Sequence, residues 1–340
     1  MDARRDKVRW GVLGVAKIAV RRVIPAMQQG EWSRVTAIAS RDLAKAREAA
    51  SALGVAKAYG SYEELLADSE VEAVYNPLPN HLHVPWTVKA AEAGKHVLCE
   101  KPIALTAEEA RQLLAASNRT GVKIQEAFMV RTHPQWLGVL EMIRAGRIGE
   151  VRSIMGFFGY FNRDGQNIRN APEYGGGGLL DIGCYLINIS RLIFGGEPQR
   201  VSALIDRDPD MKVDRLTSFI LDFPTGQGVF TCGTQVTPHQ RVHIFGSDAR
   251  VEVEIPFNAP PDRPCRVFVD NGTDLSGAAT QTIEFAPCNQ YTTQGDLFSR
   301  AIREDSPAAI PLEDSIKNMA VIGAVFRSGE SGRWEVPADF

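Results

Sequence analysis

Short apolar runs alternate with helical patterns from residue 8 to about residue 128, and that rhythm leaves few folds open. "VRWGVLG" (8–14), "RVTAIAS" (34–40), "VEAVYNPLP" (71–79), "HVLCE" (96–100) and "KIQEAF" (123–128) read as strands. Helical stretches separate them at 17–30, 42–54, 62–68, 83–95 and 106–121. Pro25 predicts a kink in the first of these, and Asp42 and Thr106 read as helix caps. Repeated strand–helix units with strands apolar throughout require a parallel sheet covered on both faces.

After residue 130 the rhythm changes. "PQWLGVLEMIRAG" (134–146) and an apolar stretch at 179–194 read as helices, among several strands of alternating polarity. "LTSFILDFPTGQGVFTCGTQV" (216–236) reads as a hairpin turning at "PTGQG", and "RVHIFGSDARVEVEIPF" (241–257) as a second turning at "GSDAR". The expected fold is α/β: a doubly wound parallel sheet over residues 1–128, then an α+β domain over 129–340 with a large, mostly antiparallel open sheet. With no low-complexity linker, the two are expected to pack directly and leave a cleft.

Composition narrows the function. The 340 residues carry 38 basic and 41 acidic side chains, a net charge of −3, which offers no basic field for nucleic acid and no polybasic membrane patch. No apolar run looks long enough to span a bilayer, and the start, "MDARRDKVRWGVLG", has no apolar leader core. The five cysteines are scattered without metal-ligand spacing, so a reducing cytoplasm is the expected setting. Four of the six histidines fall in "PNHLHVP" and "PHQRVH", but no carboxylate or cysteine completes a ligand set, and no metal is expected.

The turn after the first strand, "GVLGVAKIA" (11–19), reads as a variant of the G-x-G-x-x-G/A loop through Gly14, Ala16 and Ala19. A glycine permits the tight turn, and the helix N-terminus that follows suits a pyrophosphate. Ala16 departs from the usual second glycine. A plain glycine turn explains the motif equally well, but its place in the first strand–helix turn favours a dinucleotide. Gly11, Gly14, Ala16, Lys17 and Ile18 are the expected contacts. The second strand ends in Ser40 and Arg41 rather than an acidic residue, and a hydroxyl with a guanidinium suits a 2′-phosphate. NADP(H) is therefore expected over NAD(H).

Two further features call for chemistry. In "HVLCEKPIAL" a buried strand ends directly in Glu100 and Lys101, before Pro102. In "GGGGLLDIGCYLINISRLIFG", Asp181, Tyr185 and Asn188 fall at i, i+4 and i+7 on an otherwise apolar helix, after glycines 175–178. A solvated helix face is the bland explanation, but such faces favour Lys and Glu, and this one has neither. The aromatic run "IMGFFGYF" (154–161) reads as a sheet face, buried in a domain or at a subunit contact.

"AVYNPLPNHLH" followed by "GKHVLCEKP" resembles the glucose-fructose oxidoreductase, inositol dehydrogenase and rhizopine-catabolism protein superfamily. "EAFMVRTHPQW", "NIRNAPEYGGGGLLDIGCY", "PHQRVHIFGSDARVEVEIPFNAP" and "NQYTTQGDLFSRAI" are most similar to its branch of NADP-dependent D-xylose dehydrogenases and dimeric dihydrodiol dehydrogenases. The resemblance implies Lys101 and Tyr185 as a catalytic pair with Asp181 beside them. It places Leu78, Pro79, Asn80 and His83 along the cofactor and Glu100 near its nicotinamide ribose. Arg131, His133, Arg169 and Tyr291 are candidate sugar binders, though each alone is more often structural. It also implies a homodimer or homotetramer formed through the second sheet. The implied activity is hydride transfer between a sugar and NADP. The open alternatives are dihydrodiol oxidation, keto-sugar reduction, aldose–aldose exchange, or an NADP(H)-sensing regulator without turnover.

Overall fold

The structure is a computed structural model and describes residues 6–338. The opening arginine pair, read above with the leader question, lies outside the described residues. Two compact units form. One holds the described residues up to Met129 together with Asn289–Ile316; the other holds Val130–Cys288 and the described residues from Lys317 onward.

In the first unit, strands β1 (Val8–Leu13), β2 (Ser33–Ala39), β3 (Lys57–Tyr59), β4 (Ala73–Asn76), β5 (His96–Cys99) and β6 (Ile124–Glu126) form one sheet. Their order is β3-β2-β1-β4-β5-β6 and every pairing is parallel. This is the doubly wound arrangement the sequence implied, with its switch point between β1 and β4. Burial on both faces explains the unbroken apolar runs: consecutive residues Val97, Leu98 and Cys99 are all buried. Strand β3 was not anticipated, because three half-buried residues carry no apolar run.

Around the sheet lie α1 (Ile24–Gln28), α2 (Leu43–Leu53), α3 (Tyr62–Ala67), α4 (His83–Glu92) and α5 (Ala107–Thr120). The expected caps form: Asp42 accepts from the amides of Ala44 and Lys45, and Thr106 from that of Glu109. Pro25 does not simply kink its helix. A π-turn at Ala19–Val23 precedes α1, and the Ile24 amide bonds back to Ala19. Widening the helix there relieves the clash that a proline ring makes with the preceding turn.

Residues 289–316, assigned by sequence to the second domain, pack on the first sheet. On helix Gln290–Arg303, Phe298 lies 5.9 Å from the Trp10 ring, and Ser299 Oγ accepts from Trp10 Nε1 at 2.9 Å. Asp296 accepts from the Glu31 and Trp32 amides and the Ser33 hydroxyl. Such long-range partners leave no trace in local periodicity.

The second unit is built on an eight-stranded sheet. Its strands are β7 (Val151–Phe161), β8 (Arg200–Arg207), β9 (Asp214–Phe223), β10 (Gly226–Gly233), β11 (Gln235–Gly246), β12 (Arg250–Val253), β13 (Cys265–Asp270) and β14 (Gln281–Phe285). The order is β14-β13-β12-β11-β7-β10-β9-β8. The β7–β10 pair is parallel and the other described pairings are antiparallel. Both expected hairpins, β9–β10 and β11–β12, are present.

Helix α6 (Pro134–Arg144) starts the unit, and α7 (Cys184–Phe194) follows a π-turn at Leu179–Gly183. At Gly183 any Cβ would lie 2.9 Å from Cys232 Sγ of β10, so the helix sits tight on the sheet. By length and composition the stretch Pro172–Phe194 could cross a membrane, contrary to the reading above, but 83% of its most apolar window is buried, as in the core helix of a soluble protein. The other face of the sheet exposes Met155, Val229 and Ile220, which stand side by side on β7, β10 and β9, with Leu204 on β8.

Candidate active site

Each unit presents its share of the expected residues. In the first, Gly14 ends β1 with φ +91, and its amide donates to the Ala39 carbonyl at 2.7 Å. A residue with a Cβ is strained at that φ, and the Cβ would come 3.2 Å from Leu78 Cδ2. The loops after β1 and β4 thus meet at the switch point, where open parallel sheets bind ligands. Ala16 and Ile18 pack on the sheet core, while Lys17 is exposed. Ser40 is buried and accepts from the Asp42 amide at 3.2 Å, and Arg41 is exposed at the end of β2. The bare backbone at Gly14, at the start of a helix, fits the pyrophosphate of a dinucleotide.

Lys101 lies two residues past the end of β5, at the carboxyl end of the sheet, and Asn80 opens a short 3₁₀ turn, Asn80–Leu82, past β4. Glu100 is held by Tyr75, whose hydroxyl donates to Oε1 at 2.5 Å. Tyr291 also belongs to this unit, not to the second as the sequence suggested. It packs on the same core cluster as Ala16. Burial, with the Glu100 charge nearby, pushes its phenol up to about 12, so it stays protonated.

His83, expected along the cofactor, is only 1% exposed. Its Nδ1 lies 2.7 Å from the Pro102 carbonyl oxygen and its Nε2 2.7 Å from that of Leu78. The ring therefore ties the loop after β4 to the loop after β5, and both ring nitrogens are spent on that. Two carbonyls favour a doubly protonated ring, but burial outweighs them and, with the Lys101 charge, lowers the pKa to about 4. The unfolded ring takes its proton near 6.5 and the folded ring only near 4, so stability is full above that window and falls as pH drops through it. The loss should reach about 3 kcal/mol. Thermal midpoints of wild type and His83→Gln between pH 7 and 4 should diverge, with the shallower slope in the variant. Parallel curves would show that His83 does not carry the effect.

In the second unit the polar row on the helix is buried, not solvated. Tyr185 is 5% exposed and Asn188 fully buried. The Tyr185 ring lies 5.9 Å from Phe158 and 5.4 Å from Phe257, which stack on each other. Those contacts fix the direction of the phenol. Asp181 sits in the π-turn, and its Oδ2 accepts from Tyr160 at 2.6 Å and pairs with Arg169 Nε at 3.0 Å. Burial and the Asp181 charge push the Tyr160 phenol far above its ordinary range, so Tyr160 serves as a donor. Arg131 donates to Asn188 Oδ1 at 3.3 Å.

His133, a candidate sugar binder, is fully buried and caps α6 by accepting from the Gln135 amide at 3.2 Å. Burial lowers its pKa to about 4. In this position its Nδ1 is committed to the start of α6. Sequence reasoning missed Tyr160, whose aromatic strand read as a plain sheet face, and Phe257, which follows a hairpin with no distinguishing spacing.

Residues 8–128 match the family described as "Oxidoreductase family, NAD-binding Rossmann fold", and residues 136–252 match the "GFO/IDH/MocA C-terminal domain". A Rhizobium meliloti oxidoreductase, ORF334, is 50% identical over 97% of this chain and 99% of its own length. The D-xylose 1-dehydrogenase (NADP(+)) 2 of Haloferax volcanii is 37% identical over 95% of this chain and 98% of its own. Among solved structures, KijD10, a 3-ketoreductase from Actinomadura kijaniata in complex with NADP and TDP-benzene, matches with a TM-score of 0.89. It is 30% identical, covering 95% of this chain and 98% of that one. With both halves matched in order and relatives similar along nearly their whole length, this chain belongs to the GFO/IDH/MocA family of oxidoreductases.

Proposed function

We propose that this protein is an NADP-dependent sugar oxidoreductase, with Tyr185 as general base and Lys101 as its electrostatic partner. In its most concrete form it oxidises the anomeric hydroxyl of an aldopyranose such as D-xylose or D-glucose to the lactone. The observation carrying this reading is the buried polar row on an apolar helix, with Tyr185 braced by Phe158 and Phe257 and Asp181 held by Tyr160 and Arg169. Burying such groups costs free energy unless they are used or fully paired.

A nicotinamide dinucleotide, when bound, supplies the hydride acceptor. The loop at Gly14, Ala16, Lys17 and Ile18 would hold its pyrophosphate, Ser40 and Arg41 its 2′-phosphate, and Leu78, Pro79, Asn80 and Glu100 its remaining length. The sugar hydroxyl must lose a proton as its carbon loses hydride, and Tyr185 takes that proton. A phenol titrates near ~10 in water, and an ammonium beside it favours the phenolate. Lys101 provides that ammonium and donates to the developing alkoxide. Arg131 and Arg169, beside Asn188 and Asp181, are candidate binders of sugar hydroxyls.

The similarity to the Haloferax D-xylose dehydrogenase supports the oxidising direction. The similarity to the ketoreductase supports a second reading, reduction of a keto sugar by the same two residues. Following nicotinamide absorbance with aldoses, diols and keto sugars, in both directions, separates the two. Tight cofactor binding without turnover on any of them would instead favour a sensor.

Arg41→Ala should raise the KM for NADP at least about tenfold, the worth of a charge-assisted phosphate contact, and change that for NAD far less. Equal losses with both cofactors would remove the 2′-phosphate assignment. The apolar face at Met155, Val229, Ile220 and Leu204 supports pairing of the second sheet with another copy, checked by the mass in solution.

A further inference from the structure

We infer that Asp214 is a positioning residue, whose carboxylate sets the turn at Gly177 and thereby the placement of Asp181, Arg169 and Tyr185. The inference rests on the roles proposed for Asp181 and Tyr185. Asp214 opens β9, away from the polar row in sequence, and is 1% exposed. Its Oδ2 accepts from the Leu179 amide at 2.6 Å, the first residue of the π-turn, and from Thr217 Oγ1 at 3.2 Å. A Cβ on Gly177 would fall 1.9 Å from Oδ1, and Gly177 holds φ +113. The glycine run is therefore shaped around this carboxylate.

From Gly177 the connections run directly to the proposed machinery. Its carbonyl accepts from the Asp181 amide at 3.1 Å, and its amide donates to the Arg169 carbonyl at 2.8 Å. Arg169 and Asp181 then close the ring through their side chains at 3.0 Å. Tyr185 is one turn further along the same helix. A small displacement of this turn moves all three together. Burial raises the Asp214 pKa to about 6, against the pull of the Leu179 amide, the Thr217 hydroxyl and Arg207.

The test is steady-state kinetics and thermal stability of Asp214→Ala and Asp214→Asn, in the full chain with NADP(H) and whichever sugar gives turnover. Asn keeps an acceptor for the Leu179 amide and should retain kcat within about threefold, whereas Ala leaves that amide unpaired and should lose roughly 10- to 100-fold in kcat. KM for NADP(H) should be unchanged in both. A purely structural role would lower the melting temperature of Asp214→Ala and leave kcat per folded molecule at the wild-type value, and that result would overturn the inference. Should Asp214→Ala not fold, Thr217→Val removes one partner of the carboxylate and should lower kcat about two- to threefold; unchanged kcat there would likewise overturn it. The two readings fail separately. Full turnover in Tyr185→Phe removes the base. Full turnover in folded Asp214→Ala, beside a slow Tyr185→Phe, removes the positioning role.

Discussion

Tyr185→Phe is expected to lower kcat by about 10²- to 10⁴-fold, the span a positioned general base contributes, while the Kd for NADP(H) changes by less than about twofold. Phenylalanine keeps the ring and its packing against Phe158 and Phe257, so the change removes one oxygen and little else. The core there is buried, and the substituted ring fills the same volume. A large stability loss is therefore not expected, and circular dichroism melts should overlay closely. Cofactor affinity is set in the first unit and is read by fluorescence titration. Wild-type turnover in this variant would withdraw Tyr185 from the chemistry and leave the dinucleotide fold standing.

Lys101→Ala should cost about 10²- to 10³-fold in kcat, comparable to removing one donor from a developing oxyanion. The pH profile carries the sharper information. Under the proposed mechanism the variant would lack the charge that favours the phenolate, so the rising limb of kcat with pH should move to higher pH. Lys101→Arg keeps the charge but not the point geometry, and should recover the limb's position more than the rate. If the Ala variant kept both the rate and the profile of wild type, Lys101 would have no part in the chemistry. Loss of rate with no movement of the limb would assign it to substrate orientation alone.

Much of the architecture was legible before any coordinates. Runs such as Val97–Leu98–Cys99 are apolar because parallel strands are covered on both faces, and the caps at Asp42 and Thr106 are local hydrogen bonds that local sequence encodes. The polar row at Asp181, Tyr185 and Asn188 was visible from helical spacing together with the absence of Lys and Glu. Less was legible where a side chain's partners are distant. The partners that His83 and His133 hold in the fold could not be read from their sequence neighbours. One links two loops and the other caps a helix, because in each case the acceptor or donor is a backbone group that sequence does not display.

Tyr291 makes the same point at the scale of a domain. Its segment follows the second sheet in the chain, yet it belongs to the first unit through Trp10, Phe298, Ser299 and Asp296. Periodicity, polarity and turn chemistry act over a few residues, and they dictate which elements form and which faces are apolar. Which carboxylate a glycine turn must clear, which tyrosine braces Asp181, and which sheet a late helix joins are decided by contacts between residues tens to hundreds of positions apart. Those contacts exist only once the chain has folded, so the tertiary structure alone could assign them.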